Sequence, residues 1–134
     1  MPFALDETFV RRAEEQLGAT LPDSYRRRMM VGNGGEFNSC ADDWTLYPIR
    51  DSSDKKRLAR TCNDILAETA SCAAWAGFPP QALAIAGNGD GDQLVFLRSG
   101  DAYGPAVYRW SHASGELARV ADDFAALALA QVRP

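Results

Sequence analysis

Three short apolar segments in the second half of the chain follow one another closely. They lie at residues 82–86, 93–98 and 106–111, and glycine or proline occurs in each connection between them. Segments of this length and composition predict β-strands. A parallel crossover needs a dozen or more residues, and both connections are shorter than that. The three segments therefore predict neighbouring antiparallel strands, and the rest of the chain has to pack around that sheet.

Two helices are predicted in the first third of the chain. Asp6 can cap the first helix and Gly18 can end it. The apolar positions of this helix recur every four residues, at Phe9, Ala13 and Leu17. Pro22 suits the first turn of the second helix, and the glycine-rich segment 32–35 ends it. The inward face of the second helix is predicted to carry Leu21, Tyr25 and Met29.

The middle of the chain predicts a short strand and a long helix. The strand covers residues 44–49, with Pro48 at an edge or at the exit. The helix covers residues 53–75, capped by Ser53 or Asp54. Its inward stripe is predicted to be Leu58, Cys62, Ile65, Leu66, Thr69 and Ala73. A last helix, residues 122–131, is predicted to turn inward Phe124, Leu127 and Ala128.

The order of these elements predicts the fold class. Two helices, then mostly strands with a helix among them, then a closing helix indicate an α+β fold. We expect a mainly antiparallel sheet wrapped by about four helices. The length of 134 residues is typical of one domain and is enough for a real core, so residues 1–134 are predicted to form a single domain.

The distribution of charge bears on the kind of partner. Residues 1–60 carry ten acidic and ten basic side chains, whereas residues 61–134 carry eight acidic and four basic ones. The net charge of −4 therefore comes from the C-terminal half. Nucleic-acid binding needs clustered lysine and arginine, so direct nucleic-acid binding is not predicted. An acidic surface suits a basic protein partner, because complementary fields steer association.

Cysteine usage and hydropathy bear on the compartment. Cys40, Cys62 and Cys72 are odd in number and widely spaced, which argues against a disulfide scaffold or a zinc site. We expect buried or half-buried free thiols in a reducing cytoplasm, with an oxidation-prone thiol on a helix surface as the alternative. No signal peptide, membrane span, metal or cofactor is predicted, since the apolar runs are short and the N-terminal residues lack a basic patch.

Residues 87–92, Gly-Asn-Gly-Asp-Gly-Asp, form the most unusual segment. A dinucleotide-binding loop would be followed by a helix, and a strand is predicted here instead. A calcium loop starting at Asn88 would need glycine and glutamate where Gln93 and Ser99 stand. The segment therefore predicts a tight connection between strands, in which glycine supplies positive φ angles. The alternative is a surface recognition loop.

The single histidine offers little support for catalysis. His112 ends an aromatic segment, and the sequence shows neither a nucleophile motif nor a second imidazole for a metal. We expect His112 to anchor the following turn by hydrogen bonding. An enzyme or small-ligand domain using His112 with Asp90 or Asp92 is the competing hypothesis, and a pocket joining these groups would favour it.

Aromatic and basic residues complete the candidate surface features. Strand alternation turns about half of the aromatic side chains outward, and exposed tryptophan and tyrosine are typical interface anchors. These aromatic residues are Trp44, Tyr47, Tyr108 and Trp110. Two basic triplets, residues 26–28 and 55–57, have acidic neighbours, so solvated helix faces are expected there rather than phosphate sites.

Four blocks in this order resemble the SUKH superfamily, which includes Smi/Knr-like cell-wall regulators and bacterial immunity proteins. The blocks are residues 21–25 with the glycine pair 34–35, residues 85–92, residues 104–112 and residues 120–124. The resemblance extends from about residue 6 to residue 129. It implies an α+β fold without catalytic residues. It also implies binding to a toxin, because bacterial members of the superfamily bind and occlude toxin domains, often nucleases or deaminases.

The resulting hypothesis is a non-catalytic immunity protein that binds a cognate protein toxin, such as a basic nuclease or deaminase domain. A regulatory or scaffolding module of the Smi/Knr type is the alternative. The residues expected to contact the partner are Trp44, Tyr47, Asp90, Asp92, Tyr108, Trp110 and His112.

Overall fold

The computed structural model describes residues 2–127. The helices are α1 (Glu7–Leu17), α2 (Asp23–Val31), α3 (Lys55–Arg60) and α4 (Ile65–Cys72). The strands are β1 (Gly35–Ser39), β2 (Asp42–Leu46), β3 (Ala82–Gly87), β4 (Gln93–Ser99), β5 (Ala102–Tyr103), β6 (Val107–Trp110) and β7 (Leu117–Ala121). Residues 124–127 are helical at the end of the described part. This arrangement confirms the predicted α+β fold.

All seven strands join one antiparallel sheet. The order is β1-β2-β3-β4-β6-β7, and β5 pairs with β4 beside that path. The edge strands are therefore β1 and β7. The β1–β2 hairpin closes through Cys40 and Ala41, whose φ angles are 54° and 59°. Two successive positive φ angles are typical of the tight turn whose twist matches a hairpin, although glycine or asparagine is usual there.

One face of the sheet carries the main core. Tyr25 on α2 meets Phe96 on β4 and Phe124 edge-on, with ring centroids 5.2 Å apart in both cases. Val10 and Ala13 of α1 are buried in the same cluster. The predicted inward faces of the first two helices are confirmed, and Asp6 and Gly18 cap α1 as expected.

The other face of the sheet carries a smaller aromatic layer. Trp110 on β6 stacks on Trp75, with centroids 5.8 Å apart, and meets Phe78 edge-on at 5.1 Å. Its indole N–H donates to the carbonyl of Gly77 at 3.0 Å. The segment after α4 is therefore fastened to this face by one indole, and the β1–β2 side of the same face lies outside this aromatic cover.

The predicted long helix over residues 53–75 is wrong. The chain forms α3 and α4 with a break between them, because Asp64 caps a new helix by accepting from the amides of Leu66 and Ala67. Thr61, at the break, accepts from the amide of Asp51 and donates to the carbonyl of Arg57. The apolar stripe predicted for one continuous helix is interrupted at this break. Leu58 is therefore 37% exposed, and Cys62 is exposed.

Helix α4 replaces a strand at the edge of β3. Strand β2 ends at Leu46, which leaves the amide of Ala84 without a strand partner on that side. The hydroxyl of Thr69 accepts from this amide at 2.8 Å. Because an unpaired buried amide is costly, this bond couples α4 to the sheet.

The remaining predictions have mixed outcomes. The three predicted antiparallel strands are confirmed as β3, β4 and β6, whereas β1, β5 and β7 were not predicted. Phe124 and Leu127 are buried as expected, and Ala128 lies outside the described residues. The expectation of buried or half-buried thiols holds for Cys72 and Cys40 and is wrong for Cys62. Within residues 2–127, no helix combines the length and apolarity needed to cross a bilayer.

Candidate functional site

A row of cross-strand neighbours forms the floor of the candidate site. Glu36 pairs with Thr45, Thr45 with Gly87, Gly87 with Gln93, and Gln93 with Trp110. Directly paired residues share one face of a sheet, so this row crosses five strands on the face opposite the main core. Gly87 has no side chain, which leaves a depression in the middle of the row.

The hydroxyl of Tyr47 occupies that depression. A Cβ at Gly87 would collide with it, so this close approach requires glycine. The Tyr47 hydroxyl donates to the side-chain oxygen of Gln93 at 2.9 Å, and the Gln93 amide donates to the carbonyl of Gly91 at 3.2 Å. Tyr47 is therefore held against the floor by a chain of hydrogen bonds that ends in the β3–β4 loop.

Two adjoining hollows of about 560 and 420 Å³ lie over this floor. We call them together the acidic groove, which is lined by Glu36, Phe37, Asn38, Asp43, Trp44, Thr45, Tyr47, Glu68, Trp75, Gly87, Asn88, Gly89, Gly91 and Gln93. Its lining includes three carboxylates and no lysine, arginine or histidine. None of these three carboxylates takes part in an ion pair within residues 2–127.

Burial and like charge act on the groups of the groove. Burial raises the pKa of the Glu68 carboxyl, and the neighbouring Asp64 carboxylate raises it further. Burial, followed by the charge of Glu68, raises the pKa of Tyr47 to about 12. The groove therefore disfavours additional negative charge, and a cation placed in it would relieve that repulsion.

Arg109 on β6 joins three parts of the molecule on the core side of the sheet, since it pairs with Leu94 and lies opposite the floor of the groove. Its guanidinium forms ion pairs with Asp92 at 2.8 Å and with Asp42 at 3.2 Å. It also donates to the carbonyl of Cys40 at 3.4 Å and lies 5.1 Å from the centroid of the Trp44 ring. The hairpin turn, the β3–β4 loop and β6 are thereby held in one arrangement.

The β3–β4 loop is a connection between strands, as predicted. Gly89 and Gly91 have φ angles of 87° and 98°. The side chain of Asn88 accepts from the amide of Asp90 at 2.9 Å and donates to Asp42 at 2.8 Å. The loop is therefore fixed to the β1–β2 hairpin, which gives the groove a pre-formed wall.

Asp92 links the start of β4 to the end of β6. One carboxylate oxygen accepts from the amide of His112 at 3.0 Å, and the other accepts from Arg109. Burial would raise the pKa of Asp92, but the hydrogen bonds from His112 and Arg109 outweigh burial and lower it. The Asn88 amide and the Asp43 amide likewise lower the pKa of Asp42. Both carboxylates are thus kept ionised, and each holds neighbouring segments of the chain together through hydrogen bonds and an ion pair.

His112 uses its backbone, not its imidazole, in this network. Its ring is exposed and meets Trp75 edge-on at 4.6 Å. The following turn is closed by Ser111, which accepts from the amides of Gly115 and Ser114. The prediction that His112 anchors this turn is therefore wrong, and its backbone amide instead ties the end of β6 to Asp92. The competing hypothesis pairs His112 with Asp90 or Asp92, and within residues 2–127 its imidazole forms no hydrogen bond or ion pair with either carboxylate.

The seven residues predicted to contact a partner fall into two groups. Trp44 and Trp110 are 1% and 0% exposed, so neither presents the free ring expected of an interface anchor. They support the surface from beneath instead, Trp44 under Arg109 and Trp110 under Trp75. The other five reach the surface to some degree and stay predictions as contact residues. They are Tyr47, Asp90, Asp92, Tyr108 and His112.

Several residues of the site escaped sequence reasoning. Glu36, Asp43 and Glu68 come from an unpredicted strand, a hairpin and a helix, and nothing in their spacing marks them as neighbours. Arg109 alternates with the aromatic residues of β6, which placed it on a face without showing its partners. A group of three or more histidine, cysteine or acidic side chains suited to a metal is not found in the described part of the chain.

Three of the six side chains in the basic triplets form ion pairs within the described residues, and two of these three are only partly exposed to solvent. Arg26 pairs with Glu7 at 3.3 Å and with Glu14 at 3.2 Å. Arg57 pairs with Asp54 at 2.6 Å and lies 4.2 Å from the centroid of the Phe3 ring. Part of the positive charge on these helices is therefore balanced locally, in contrast to the unpaired carboxylates of the groove.

The geometry defines a class of protein: an α+β domain with a curled antiparallel sheet and an acidic groove on the face opposite the main core. The sequence matches the SMI1 / KNR4 family (SUKH-1) over residues 4–129. Since this match covers nearly the whole chain, the protein belongs to the SMI1 / KNR4 family. No curated protein matches the sequence.

Proposed function

We propose that this protein is an immunity protein, a non-catalytic domain that binds a basic toxin domain through the acidic groove and blocks its active surface. The observation that carries the proposal is the set of three unpaired carboxylates, Glu36, Asp43 and Glu68, in a groove without basic side chains. Toxins that act on nucleic acid need basic surfaces, because phosphate contacts dominate their binding. A groove of this charge attracts such a surface.

Rigidity is the second support. Asp92, Asp42 and Arg109 hold the groove wall through bonds between β2, the β3–β4 loop and β6. A pre-formed surface binds tightly because fewer side chains must be ordered on association. A stable complex of this kind buries roughly 800 Å² on each partner, which is more than the groove alone offers, so the rims must also take part.

The proposal includes a cytoplasmic location and no direct role for nucleic acid or a membrane. The thiols of Cys40, Cys62 and Cys72 are free, which suits a reducing compartment. The carboxylates of the groove would repel phosphate groups of nucleic acid or of lipid.

The test is co-expression with the product of the adjacent reading frame, followed by measurement of binding kinetics. We expect the double variant Glu36→Gln/Asp43→Asn to slow association about tenfold at low salt, because long-range attraction sets the encounter rate. Glu15→Gln/Asp101→Asn is the matched control, since it removes two exposed carboxylates elsewhere. Equal effects of the two double variants would contradict a role for the groove.

The same experiment separates the regulatory alternative. An immunity protein restores growth of cells that carry the toxin, and the groove variant should protect them less well than the control variant. Retrieval of a harmless cytoplasmic protein, with no effect on growth, would favour a regulatory or scaffolding module instead.

A further inference from the structure

The outer edge of β1 is open. Strand β1 is the first in the sheet order and pairs with β2 alone. Glu36 and Asn38 are exposed. No backbone hydrogen bond from outside the hairpin reaches the amide or carbonyl of either residue within residues 2–127.

The register shows which backbone groups point to that edge. The hairpin turn has two residues, so the flanking pair Ser39–Asp42 exchanges both hydrogen bonds. Alternation then makes Phe37–Trp44 a bonded pair, whereas Asn38–Asp43 and Glu36–Thr45 are non-bonded pairs. The N–H and C=O groups of Glu36 and Asn38 therefore face away from β2. Two donors and two acceptors lie along the edge at the spacing that another strand requires.

The two edges of the sheet differ in protection. At β7, the pairing is irregular opposite Val107 and Tyr108, and Arg119 lies on the strand. Bulges and basic residues are common devices against unwanted strand pairing. At β1 the register is regular, and residues 35–47 contain three acidic side chains and no proline, lysine or arginine. Charge therefore selects among incoming strands without blocking the edge.

We infer that the partner adds an extended, lysine- or arginine-bearing segment to β1, pairing its backbone with Glu36 and Asn38 while its basic side chains reach the acidic groove. Main-chain bonds of this kind supply affinity, and alternate side chains supply specificity. Glu36 and Asp43 line the groove beside this edge, so the side chains of one face of the added strand meet carboxylates. A second copy of this chain fits poorly, because its own β1 would bring Glu36 against like charge. The inference rests on the proposed function and names the partner element that it uses.

The test uses a blocked seven-residue peptide in which lysine alternates with threonine or valine. Amide hydrogen exchange of Glu36 and Asn38 is followed by NMR, with the whole protein, as the peptide is added. We expect exchange at both amides to slow at least about tenfold. The same peptide with N-methyl groups on alternate amides keeps its charge but lacks the donors, and we expect it to leave exchange unchanged.

A pair of protein variants tests the backbone separately from the side chain. Asn38→Pro removes one edge N–H without touching the β1–β2 ladder, whereas Asn38→Ala keeps it. We expect Asn38→Pro to weaken peptide binding about fivefold, the loss of roughly one hydrogen bond, and Asn38→Ala to change it less than twofold. Should Asn38→Pro fail to fold, the N-methylated peptide still decides the matter.

Three outcomes would overturn the inference. They are absence of peptide binding, binding without slowed exchange at Glu36 and Asn38, and equal binding of the N-methylated peptide. A dimer of the free protein that Asn38→Pro dissolves would assign the edge to a second copy and overturn it as well. None of these results decides the proposed function. That function is tested by the binding of the carboxylate variants to the adjacent gene product.

Discussion

Asp92 shows how much one carboxylate decides at this site. It accepts hydrogen bonds from the amide of His112 and from Arg109, and its side chain is 19% exposed. Asp90, two residues earlier in the same loop, is exposed and forms no ion pair within the described residues. The two aspartates of this loop thus have different roles. Asp92 links β4 to β6, whereas Asp90 contributes an exposed charge.

Asp92→Asn should destabilise the protein at neutral pH. The pKa of Asp92 is lower in the folded state, so its stabilising contribution is present above the unfolded pKa, near 4, and is lost as pH falls through the folded pKa. We expect a loss of about 1–2 kcal/mol in unfolding free energy at pH 7 that shrinks as the pH falls below the unfolded pKa. Urea unfolding at several pH values measures this.

Asp90→Asn is the control, and we expect it to stay within about 0.5 kcal/mol of the original protein at pH 7. A loss from Asp92→Asn that is the same at pH 7 and pH 2 would show that packing, and not charge, is what the substitution removes.

Gly91→Ala should be more damaging than Gly89→Ala. Both positions have positive φ angles, 98° and 87°, so alanine is strained at each. A Cβ at Gly91 would also lie 2.9 Å from Cγ of His112, whereas nothing lies within 4 Å of one at Gly89. We expect losses of about 2–3 kcal/mol and about 1 kcal/mol. Thermal unfolding of both variants measures the difference, and equal losses would show that the His112 ring moves freely aside.

Helix α4 takes the place beside β3 that another strand would otherwise occupy. It begins at Asp64, which caps it, and it continues the edge of β3 where β2 has left the sheet. The bond between the Thr69 hydroxyl and the amide of Ala84 is the contact that joins helix to sheet. The wall of the groove near Glu68 and Tyr47 depends on this junction, because Glu68 lies on the same helix.

Thr69→Val should weaken this junction. Valine has nearly the same shape but lacks the hydroxyl, so the amide of Ala84 loses its acceptor. We expect a loss of about 1–3 kcal/mol in unfolding free energy, whereas Thr69→Ser keeps the acceptor and should lose less. Faster hydrogen exchange at the Ala84 amide in the valine variant alone is the specific readout. Unchanged exchange there would mean that another group accepts the bond.

Ion pairs are unevenly distributed over the surface of the molecule. Three of the seven basic side chains of α2 and α3 have acidic partners in the described part of the chain, as in the pairs of Arg26 with Glu14 and Arg57 with Asp54. The carboxylates of the acidic groove find none within residues 2–127, and so a long-range field extends from that side of the molecule. Such a field acts on the rate of encounter more than on the strength of the final contacts.

Salt should therefore affect partner binding more than folding. Raising ionic strength from about 0.05 to about 0.5 M shortens the Debye length to a few ångströms. We expect the association rate with a basic partner to fall about tenfold or more, with little change in the dissociation rate. Stopped-flow binding measures both rates. A salt effect confined to dissociation would contradict attraction by the groove.

Local sequence signals are sufficient to predict the features of this fold that depend on neighbouring residues. Caps and stops delimited α1, and short glycine-rich connections made β3, β4 and β6 antiparallel. Signals of this kind act within a few residues, so a local pattern is sufficient to predict them. The break at Thr61–Asp64 marks the limit, because the apolar stripe suggested one helix while capping by Asp64 produced two.

The contacts between distant residues depend instead on how the strands pair and pack in three dimensions. The strand register brought Glu36, Thr45, Gly87 and Gln93 into one row, although up to about forty residues separate neighbours in that row. It also buried Trp44 on the face of the main core and Trp110 beneath Trp75 and Phe78 on the opposite face. Pairing register and burial are properties of the whole packed sheet, and no segment of sequence specifies them alone.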